Sequence, residues 1–236
     1  MGSTFKPITV AIGYDANIIK DNDLFEVEDP IKIGKHLIND YKPLEGPLNV
    51  REIIVNSSNI GTAHIAKSIG KKIQKKYLKQ FGFLEKQGLE VPEIGSPIFP
   101  DPWLPVNTMT IGYGYGLSIS PMQLCSAYST LVNGGVPVKT TLLRDSNINY
   151  YQRVISEDTS SKIRELLRAV ILETKWTRKN ARVPGYEVGG KTGTAEIIQN
   201  SNYHKKANLS SFIGVFPMSK PKYVILAMVK EPEKMK

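Results

Sequence analysis

The sequence has a single cysteine, Cys125, so no disulfide can form within the chain and cysteine usage does not indicate a redox compartment. Cys125 lies among Leu124, Ala127 and Leu131, a setting that favours a buried apolar thiol over a nucleophile. The few histidines have no metal-ligand spacing, and each is predicted to be a surface or capping residue. They are His36, His64 and His204. The sequence therefore implies no metal and no other cofactor.

Long apolar runs are also missing. No stretch of about 18 apolar residues occurs, which predicts that this chain has no transmembrane helix. Its first residues lack the charged and apolar regions of a signal peptide, so we expect neither a leader nor a membrane anchor. With 41% hydrophobic and 22% charged residues over 236 positions, the composition is that of a globular domain rather than a disordered chain.

Positive charge is in excess, at a formal +9. Many of the lysines fall in one helical stretch between apolar residues, which is typical of a solvated helix face. They are Lys71, Lys72, Lys75, Lys76 and Lys79. A basic surface also suits anionic lipid or an anionic wall polymer. No nucleic-acid-binding motif accompanies the charge, and no nucleic-acid partner is expected.

Hydrophobic periodicity and capping residues predict helices over most of the first three quarters of the chain. The predicted helices are Ser3–Tyr14, Val50–Val55, Ile60–Phe81, a helix capped by Ser120 that ends at Val132, and a helix that begins after Ser156. Between them, Gln87–Asn107 contains five prolines and is predicted to be a long irregular connection.

The last third of the chain changes to β-branched and aromatic residues, which favour strands. The predicted strands are Glu187–Ile198, Ser210–Phe216 and Tyr223–Val229, with hairpin connections at Asn200–Asn208 and Met218–Pro221. Helices followed by three consecutive antiparallel strands indicate an α+β fold with the helices packed on a sheet.

The first motif that carries chemistry is S-x-x-K at Ser3–Lys6. Residues three apart share one face of a helix, so the Lys6 amine can reach the Ser3 hydroxyl. A lysine whose pKa is lowered by burial can take the proton of a serine nucleophile. The same pattern recurs at Ser68–Lys71 within the lysine-rich helix, where we interpret it as accidental.

Two further motifs fit a serine acyl-transfer site. Ser57 and Asn59 form S-x-N just before a helix, although ordinary helix capping explains such residues equally well. Lys191–Thr194 reads K-T-G-T on a predicted strand, where Gly193 would let a ligand backbone approach the strand edge. A cation and two hydroxyls suit a carboxylate, but a glycine bulge with surface threonines is the alternative for this segment alone.

Together the motifs occur in the order S-x-x-K, S-x-N, K-T-G, which is far more specific than any one of them. In this combination the chain resembles the class B penicillin-binding proteins, the division-type peptidoglycan transpeptidases. The segments that carry the resemblance are Gly2–Pro7, Asn56–Gly61, Tyr113–Leu117 with Ser120–Leu124, and Tyr186–Ala195. They are spread over nearly the whole chain.

The resemblance implies a role for each site residue. Ser3 would attack the penultimate D-alanine of a stem peptide, and Lys6 would be its general base. The second motif, Ser57 and Asn59, would support proton transfer and orient the substrate next to Lys191. Substrate binding would fall to Thr192, Gly193 and Thr194, with the two threonines on the terminal carboxylate. The backbone N–H groups of Ser3 and Thr194 would form the oxyanion hole.

The resemblance also implies the transpeptidase fold that penicillin-binding proteins share with serine β-lactamases, a helical subdomain plus an antiparallel sheet. In the family, a helix and two strands precede the nucleophile helix and a further helix closes the domain. Because only two residues precede Ser3 and the chain stops at Lys236, we expect residues 1–236 to be a partial transpeptidase domain, truncated at both ends. We expect the accessory module and the membrane anchor of the family to be absent from it.

The partners implied by the resemblance are peptidoglycan stem peptides and β-lactam antibiotics. Full-length family members also work with cell-division membrane proteins and a glycosyltransferase, at the periplasmic face of the cytoplasmic membrane.

Three alternatives stay open at this point. A serine β-lactamase shares S-x-x-K and K-T-G, but the class with Ser-Thr-Phe-Lys has an aliphatic residue where Asn59 stands. The other main serine class has a deacylating glutamate motif that this sequence lacks. A β-lactam-binding sensor or an inactive remnant would keep the motifs without turnover. A basic binding protein with accidental motifs is the third alternative.

Overall fold

The computed structural model describes residues 1–34, 36–144, 152–199 and 202–232. Within these ranges the chain is α+β, with helices packed on a three-stranded antiparallel sheet, as the sequence predicts. The side chains of His36 and His204 lie outside the described part of the chain, so their predicted capping or surface roles do too.

The described residues begin with a 3₁₀ turn, Gly2–Phe5, that leads directly into the first α-helix. The helices are α1 (Lys6–Asp15), α2 (Val50–Asn56), α3 (Asn59–Gln80), α4 (Pro105–Gly112), α5 (Pro121–Val132), α6 (Glu157–Glu173) and α7 (Lys175–Asn180). The predicted helix at Ser3–Tyr14 is therefore confirmed, except that its first turn is 3₁₀.

The strands of the described residues form three separate antiparallel sheets. They are β1 (Leu24–Phe25), β2 (Ile31–Ile33), β3 (His36–Ile38), β4 (Leu48–Asn49), β5 (Gly189–Gln199), β6 (Asn202–Phe216) and β7 (Tyr223–Lys230). The large sheet has the order β5-β6-β7, and two small ribbons pair β1 with β4 and β2 with β3. The three consecutive antiparallel strands predicted for the last third of the chain are thus confirmed.

Helix α1 lies at the centre of the molecule. It packs against α3, α5, α6 and the 3₁₀ turn. Its apolar side chains Ile8 and Ile12 are buried, together with Leu131 of α5, Leu167 of α6 and Ile213 of β6. Because α1 is buried along nearly its whole length, every residue of its first turn is held by neighbours on several sides.

The predicted helix starts at Ser120 and Ser156 are confirmed by capping geometry. Ser120 Oγ accepts from the Gln123 N–H at 3.1 Å, and the Gln123 side chain accepts from the Ser120 N–H at 2.9 Å. Ser156 Oγ likewise accepts from the Thr159 N–H. These side chains satisfy backbone donors that the first helical turn leaves without partners.

The loop predicted at Asn200–Asn208 is wrong over most of its length. β6 begins at Asn202 and pairs with β5 through Gln199↔Asn202, with a register shift between Glu196 and Ile197. Backbone pairing does not depend on side-chain polarity, so the polar composition of this stretch led to too short a strand. Residues 200 and 201 lie outside the described residues.

Two further predictions need correction. The irregular connection predicted for Gln87–Asn107 ends earlier, since α4 begins at Pro105 with a proline in its first turn. Cys125 is half-buried rather than fully buried, because it lies on the side of α5 next to the exposed Met122. Burial still raises the pKa of its thiol.

No helix in the described part of the chain is both long and apolar enough to cross a lipid bilayer.

Candidate active site

The three sequence motifs meet at the hydroxyl of Ser57. Lys6 Nζ lies 3.2 Å from Ser57 Oγ, and Lys191 Nζ lies 2.9 Å from the same oxygen. These contacts join α1, the turn between α2 and α3, and strand β5. The residues are 51 and 134 positions apart in the chain, so only the tertiary fold brings them together.

Lys6 is the first residue of α1 and is fully buried, with a relative exposure of 0%. Its ammonium group donates to the Ser57 carbonyl oxygen as well as to the Ser57 hydroxyl. Burial and the nearby Lys191 charge lower the pKa of Lys6 well below the usual value for lysine, while Asp40 opposes the shift. A lowered pKa makes the Lys6 amine easier to deprotonate, which is what a general base needs.

Ser3 lies on the 3₁₀ turn that precedes α1 and is only partly buried. Ser3 precedes Lys6 by three residues where the turn passes into α1, a spacing that places two side chains on the same helix face. The Lys6 N–H closes this turn on the Ser3 carbonyl. The buried Tyr128 of α5 donates its hydroxyl to the Thr4 carbonyl at 2.7 Å, which anchors the turn from the opposite side.

Ser57 has a left-handed backbone conformation, with φ 58° and ψ 41°. A non-glycine residue held in this region costs on the order of 1–3 kcal/mol, and such residues cluster at functional sites. The conformation ends α2 and turns the chain into α3 two residues later. It also directs both oxygens of Ser57 to Lys6.

From the sequence, the serine of S-x-N could be a helix cap or part of an acyl-transfer site. The structure shows that the cap is a different serine from Ser57. Ser58, not Ser57, caps α3, since its Oγ accepts from the Gly61 N–H at 2.9 Å. The Ser57 hydroxyl instead contacts the ammonium groups of Lys6 and Lys191. Asn59 is half-buried and donates through Nδ2 to the Asn39 carbonyl at 2.7 Å, which fixes the orientation of its amide.

Asp40 is a site residue that the sequence reasoning missed. Its carboxylate accepts from Ser58 Oγ at 2.7 Å and from the backbone N–H groups of Asn59 and Ile60. It follows the short strand β3 and belongs to no recognisable motif. A lone aspartate in a loop gives no sequence signal, because its partners lie 18 to 20 residues further along the chain.

Lys191 on β5 is 1% exposed, and burial lowers its pKa to about 8. Besides Ser57 Oγ, its ammonium group contacts the Thr192 carbonyl oxygen at 3.3 Å. The neighbouring Thr192 is half-buried and Thr194 is exposed. The strand thus presents a buried cation next to hydroxyl groups that solvent or a ligand can reach.

Gly193 and Gly2 allow β5 to touch the 3₁₀ turn. A Cβ on Gly193 would lie 2.8 Å from Thr4 Cγ2, and one on Gly2 would lie 2.4 Å from the Thr194 carbonyl oxygen. The glycine of K-T-G was predicted to admit a ligand backbone. In the structure, the lack of a side chain at Gly193 leaves room for the turn that bears Ser3. The Gly2 N–H also donates to the Gly114 carbonyl at 3.1 Å, which brings the Y-G-Y-G-L segment to the same point.

All eight predicted site residues therefore belong to one region, but with different degrees of contact. Lys6, Ser57 and Lys191 are hydrogen-bonded directly. The turn that bears Ser3 packs against β5 at Gly193 and Thr194, and Asn59 follows the Ser57 turn.

The described residues also form a polar cleft of about 540 Å³ on α6. It is lined by Arg51, Arg168 and Glu187, and by none of the eight predicted site residues. Among the described side chains, no group of histidines, cysteines and carboxylates could hold a metal ion.

The fold and this constellation match a known class. Over residues 1–236 the chain matches the family described as "Penicillin binding protein transpeptidase domain", and it belongs to that family.

Among curated proteins, it is 34% identical to the "Probable peptidoglycan D,D-transpeptidase FtsI" of Caulobacter vibrioides, over 99% of this chain and 41% of that protein. It is 35% identical to the "Stage V sporulation protein D" of Bacillus subtilis, over 98% of this chain and 38% of that protein. The chain thus spans about two fifths of the length of these relatives.

Solved structures agree with the family assignment. The apo transpeptidase domain of Burkholderia pseudomallei penicillin-binding protein 3 superposes with a TM-score of 0.89 at 32% identity, covering 98% of this chain and 71% of that one. Penicillin-binding protein 3 of Mycobacterium tuberculosis complexed with ampicillin gives 0.86 at 25% identity, with 98% and 56% coverage. The predicted α+β transpeptidase fold is confirmed.

Proposed function

We propose that this chain carries the acyl-transfer site of a peptidoglycan D,D-transpeptidase, with Ser3 as nucleophile and Lys6 as general base. The observation that carries the proposal is the buried Lys6, whose pKa is lowered and whose amine is linked through Ser57 Oγ to Lys191. An amine with a lowered pKa, directly after the turn that bears a partly exposed serine hydroxyl, is what nucleophilic catalysis by serine requires.

In the first step, Ser3 Oγ attacks the carbonyl carbon of the penultimate D-alanine, and its proton passes to Lys6 Nζ. The tetrahedral intermediate then collapses to a Ser3 ester and expels the terminal D-alanine. The leaving nitrogen takes a proton through the Ser57 hydroxyl, which is within hydrogen-bond distance of both lysines. In the second step the amine of a neighbouring stem peptide attacks the ester carbonyl and gives its proton to Lys6 Nζ. The new amide bond forms as the bond to Ser3 Oγ breaks, and Ser3 Oγ takes the proton back from Lys6.

Substrate binding falls to the strand and to the S-x-N turn. Thr192 and Thr194 would bind the terminal carboxylate, with the Lys191 charge nearby and Gly193 allowing close approach. Asn59 uses one amide hydrogen on Asn39 and keeps its other hydrogen and its oxygen for the substrate backbone. The N–H groups of Ser3 and Thr194 would form the oxyanion hole, where the loss of one donor typically costs about 3–4 kcal/mol.

The substrate class and partners rest on the relatives. The name of the Caulobacter relative supports a peptidoglycan stem peptide, and the ampicillin complex of the Mycobacterium protein supports covalent capture of β-lactams. By the same likeness, the full-length protein would act at the periplasmic face of the cytoplasmic membrane with cell-division membrane proteins and a glycosyltransferase.

Benzylpenicillin tests the proposal directly. Attack by Ser3 opens the β-lactam C–N bond, and the ring nitrogen takes the proton, so no atom leaves and the protein gains the whole mass of the drug. We expect a long-lived adduct that maps to Ser3 and is absent from Ser3→Ala. Ser68→Ala is the matched control, because it removes the serine of another helical S-x-x-K copy, and it should label like the unchanged chain.

Two outcomes contradict the proposal. An adduct that forms and clears within minutes would indicate β-lactamase turnover instead. A chain that is folded by circular dichroism but gains no mass would be an inactive member of the family.

A further inference from the structure

The Asp40 carboxylate lies at the start of α3, directly behind the Ser57 turn. One oxygen accepts from Ser58 Oγ at 2.7 Å, and the other accepts from the backbone N–H groups of Asn59 and Ile60, the latter at 3.2 Å. Three consecutive residues that follow Ser57 are thereby bound to one side chain.

These hydrogen bonds of Asp40, here called the Asp40 clamp, matter because Ser57 is held from both sides in an unfavourable left-handed conformation. On the α2 side, the Ser57 N–H donates to the Ile54 carbonyl and the Ser58 N–H donates to the Ile53 carbonyl at 2.9 Å. On the α3 side, the Asp40 carboxylate accepts from the backbone N–H groups of Asn59 and Ile60 and so holds the chain in place. A left-handed serine persists only when its surroundings over-determine it.

The residue before Asp40 adds a contact to the same turn. The Asn39 carbonyl accepts from Asn59 Nδ2 at 2.7 Å, so the Asn39–Asp40 segment fixes the backbone of the turn and the amide that would face the substrate. A displacement of about 1 Å in such a group can lower a rate about 100-fold.

Asp40 also acts electrostatically on the buried Lys6. Lys6 of α1 is faced by Lys191 of β5, by Asp40 and by the uncharged Ser57 hydroxyl between them. Asp40 raises the pKa of Lys6, whereas burial and Lys191 lower it. Its removal would therefore make Lys6 easier to deprotonate while loosening the turn that Lys6 contacts.

We propose that Asp40 is a positioning residue for acylation, which acts by clamping the Ser57–Asn59 turn onto Lys6 and by balancing the charge of the buried Lys6. The proposal rests on the function proposed above and extends it to a residue outside the three motifs.

Kinetics of acylation by benzylpenicillin test this role. Asp40→Asn keeps an oxygen for the backbone N–H groups but loses the charge and the acceptor for Ser58 Oγ, so we expect an acylation rate constant about 10-fold lower. Asp40→Ala removes every contact, and we expect a loss of about 100-fold. Asp40→Glu restores the charge and should recover part of the loss. Asp29→Asn, an exposed carboxylate in the same region, is the matched control and should leave the rate unchanged.

The pH profile separates positioning from a merely structural role. In Asp40→Asn the rising limb, which reports deprotonation of Lys6, should move to lower pH. A merely structural role would reduce the labelled fraction or lower the rate without moving that limb. Either an Asp40→Asn chain that acylates at the unchanged rate, or a loss of rate with an unmoved limb, would overturn the proposal.

An activity-independent measurement keeps this test distinct from that of the proposed function. With lysine labelled at Cε, NMR titration gives the Lys6 midpoint, assigned through its absence in Lys6→Gln. If the unchanged chain forms no penicillin adduct, the proposed function fails, but the positioning role still predicts a lower Lys6 midpoint and faster amide exchange at Asn59 and Ile60 in Asp40→Asn. Unchanged values for both would overturn the proposal for Asp40.

Discussion

The S-x-x-K pattern occurs at Ser3–Lys6, Ser68–Lys71 and Ser219–Lys222, and the two copies in helical segments, Ser3–Lys6 and Ser68–Lys71, lie in opposite environments. At Ser3–Lys6, the lysine is fully buried and bonded to Ser57. At Ser68–Lys71, both the serine and the lysine are exposed on α3. Ser68 Oγ donates to the His64 carbonyl one turn back, which is an ordinary contact for a helical serine.

The backbone differs between the two copies as much as the burial does. Ser3 lies on the 3₁₀ turn that passes without interruption into α1 at Lys6, whereas Gly70 breaks the helical geometry between Ser68 and Lys71, with φ 73° and ψ 162°. A spacing of three residues is therefore not sufficient for a nucleophile and its base. Desolvation and a third group that orients the amine are needed, and only the first copy has them.

The largest difference should appear when each lysine is replaced. Lys6→Gln removes the proposed general base, and we expect acylation by benzylpenicillin to slow by about 10²–10⁴-fold. Lys71→Gln should leave the rate unchanged, because Lys71 lies in solvent. Stopped-flow or quench-flow mass analysis measures both. Equal effects of the two substitutions would remove the distinction between the copies.

Glycine substitutions test the backbone of each copy. Gly2→Ala places a Cβ 2.4 Å from the Thr194 carbonyl oxygen, at a positive φ of 58°, so we expect β5 and the nucleophile turn to separate and acylation to fall about 100-fold. Gly70→Ala meets no atom within 4 Å, and its cost is limited to backbone strain of about 1–3 kcal/mol.

Urea unfolding with parallel labelling separates these two effects. The folded fraction of Gly70→Ala should acylate at the normal rate. A normal rate for Gly2→Ala would contradict the close contact between the turn and the strand.

The rate of acylation should rise with pH as one buried lysine loses its proton and fall as the other does. In the proposed mechanism Lys6 accepts a proton, so acylation should rise with pH as Lys6 deprotonates, well below the usual range for lysine because its pKa is lowered. In the same mechanism Lys191 acts through its charge, so the rate should fall as it loses its proton near its pKa of about 8.

The expected profile is therefore a bell, and its limbs belong to the coupled pair. Lys191→Gln should abolish the falling limb, in addition to lowering the maximum. A rate that continues to rise through pH 9 in the unchanged chain would assign no role to the Lys191 charge.

The smallest effect concerns the anchor that only the first copy has. Tyr128→Phe removes the hydroxyl that bonds the buried Thr4 carbonyl, and the free energy of unfolding should fall by about 1–3 kcal/mol. Ser68→Ala loses only a helical back-bond and should stay within about 0.5 kcal/mol. Urea titration with a common slope compares the two, and equal losses would contradict the anchoring role of Tyr128.

Much of the local structure was predictable from residue types. The helix starts at Ser120, which has Gln123 three residues later, and at Ser156, which precedes an amphipathic stretch, could be predicted from sequence. A capping contact lies within one helical turn, so it depends only on neighbouring residues. The strands of the large sheet were recognisable from β-branched residues. Prediction failed at Asn202–Asn208 because strand length there depends on pairing with β5, which local composition does not encode.

The order of residue types is enough to define the chemical inventory of this protein: a serine and a lysine three apart, S-x-N before a helix and K-T-G on a strand, in an order that identifies the family. It also determined most helix and strand positions, since propensity and capping act over a few residues. The tertiary structure decided which S-x-x-K is buried, which serine of the Ser57–Ser58 pair meets the lysines, and that Asp40 belongs to the site. Those outcomes depend on desolvation and on contacts between residues far apart in the chain, which exist only once α1, α3 and β5 have packed together.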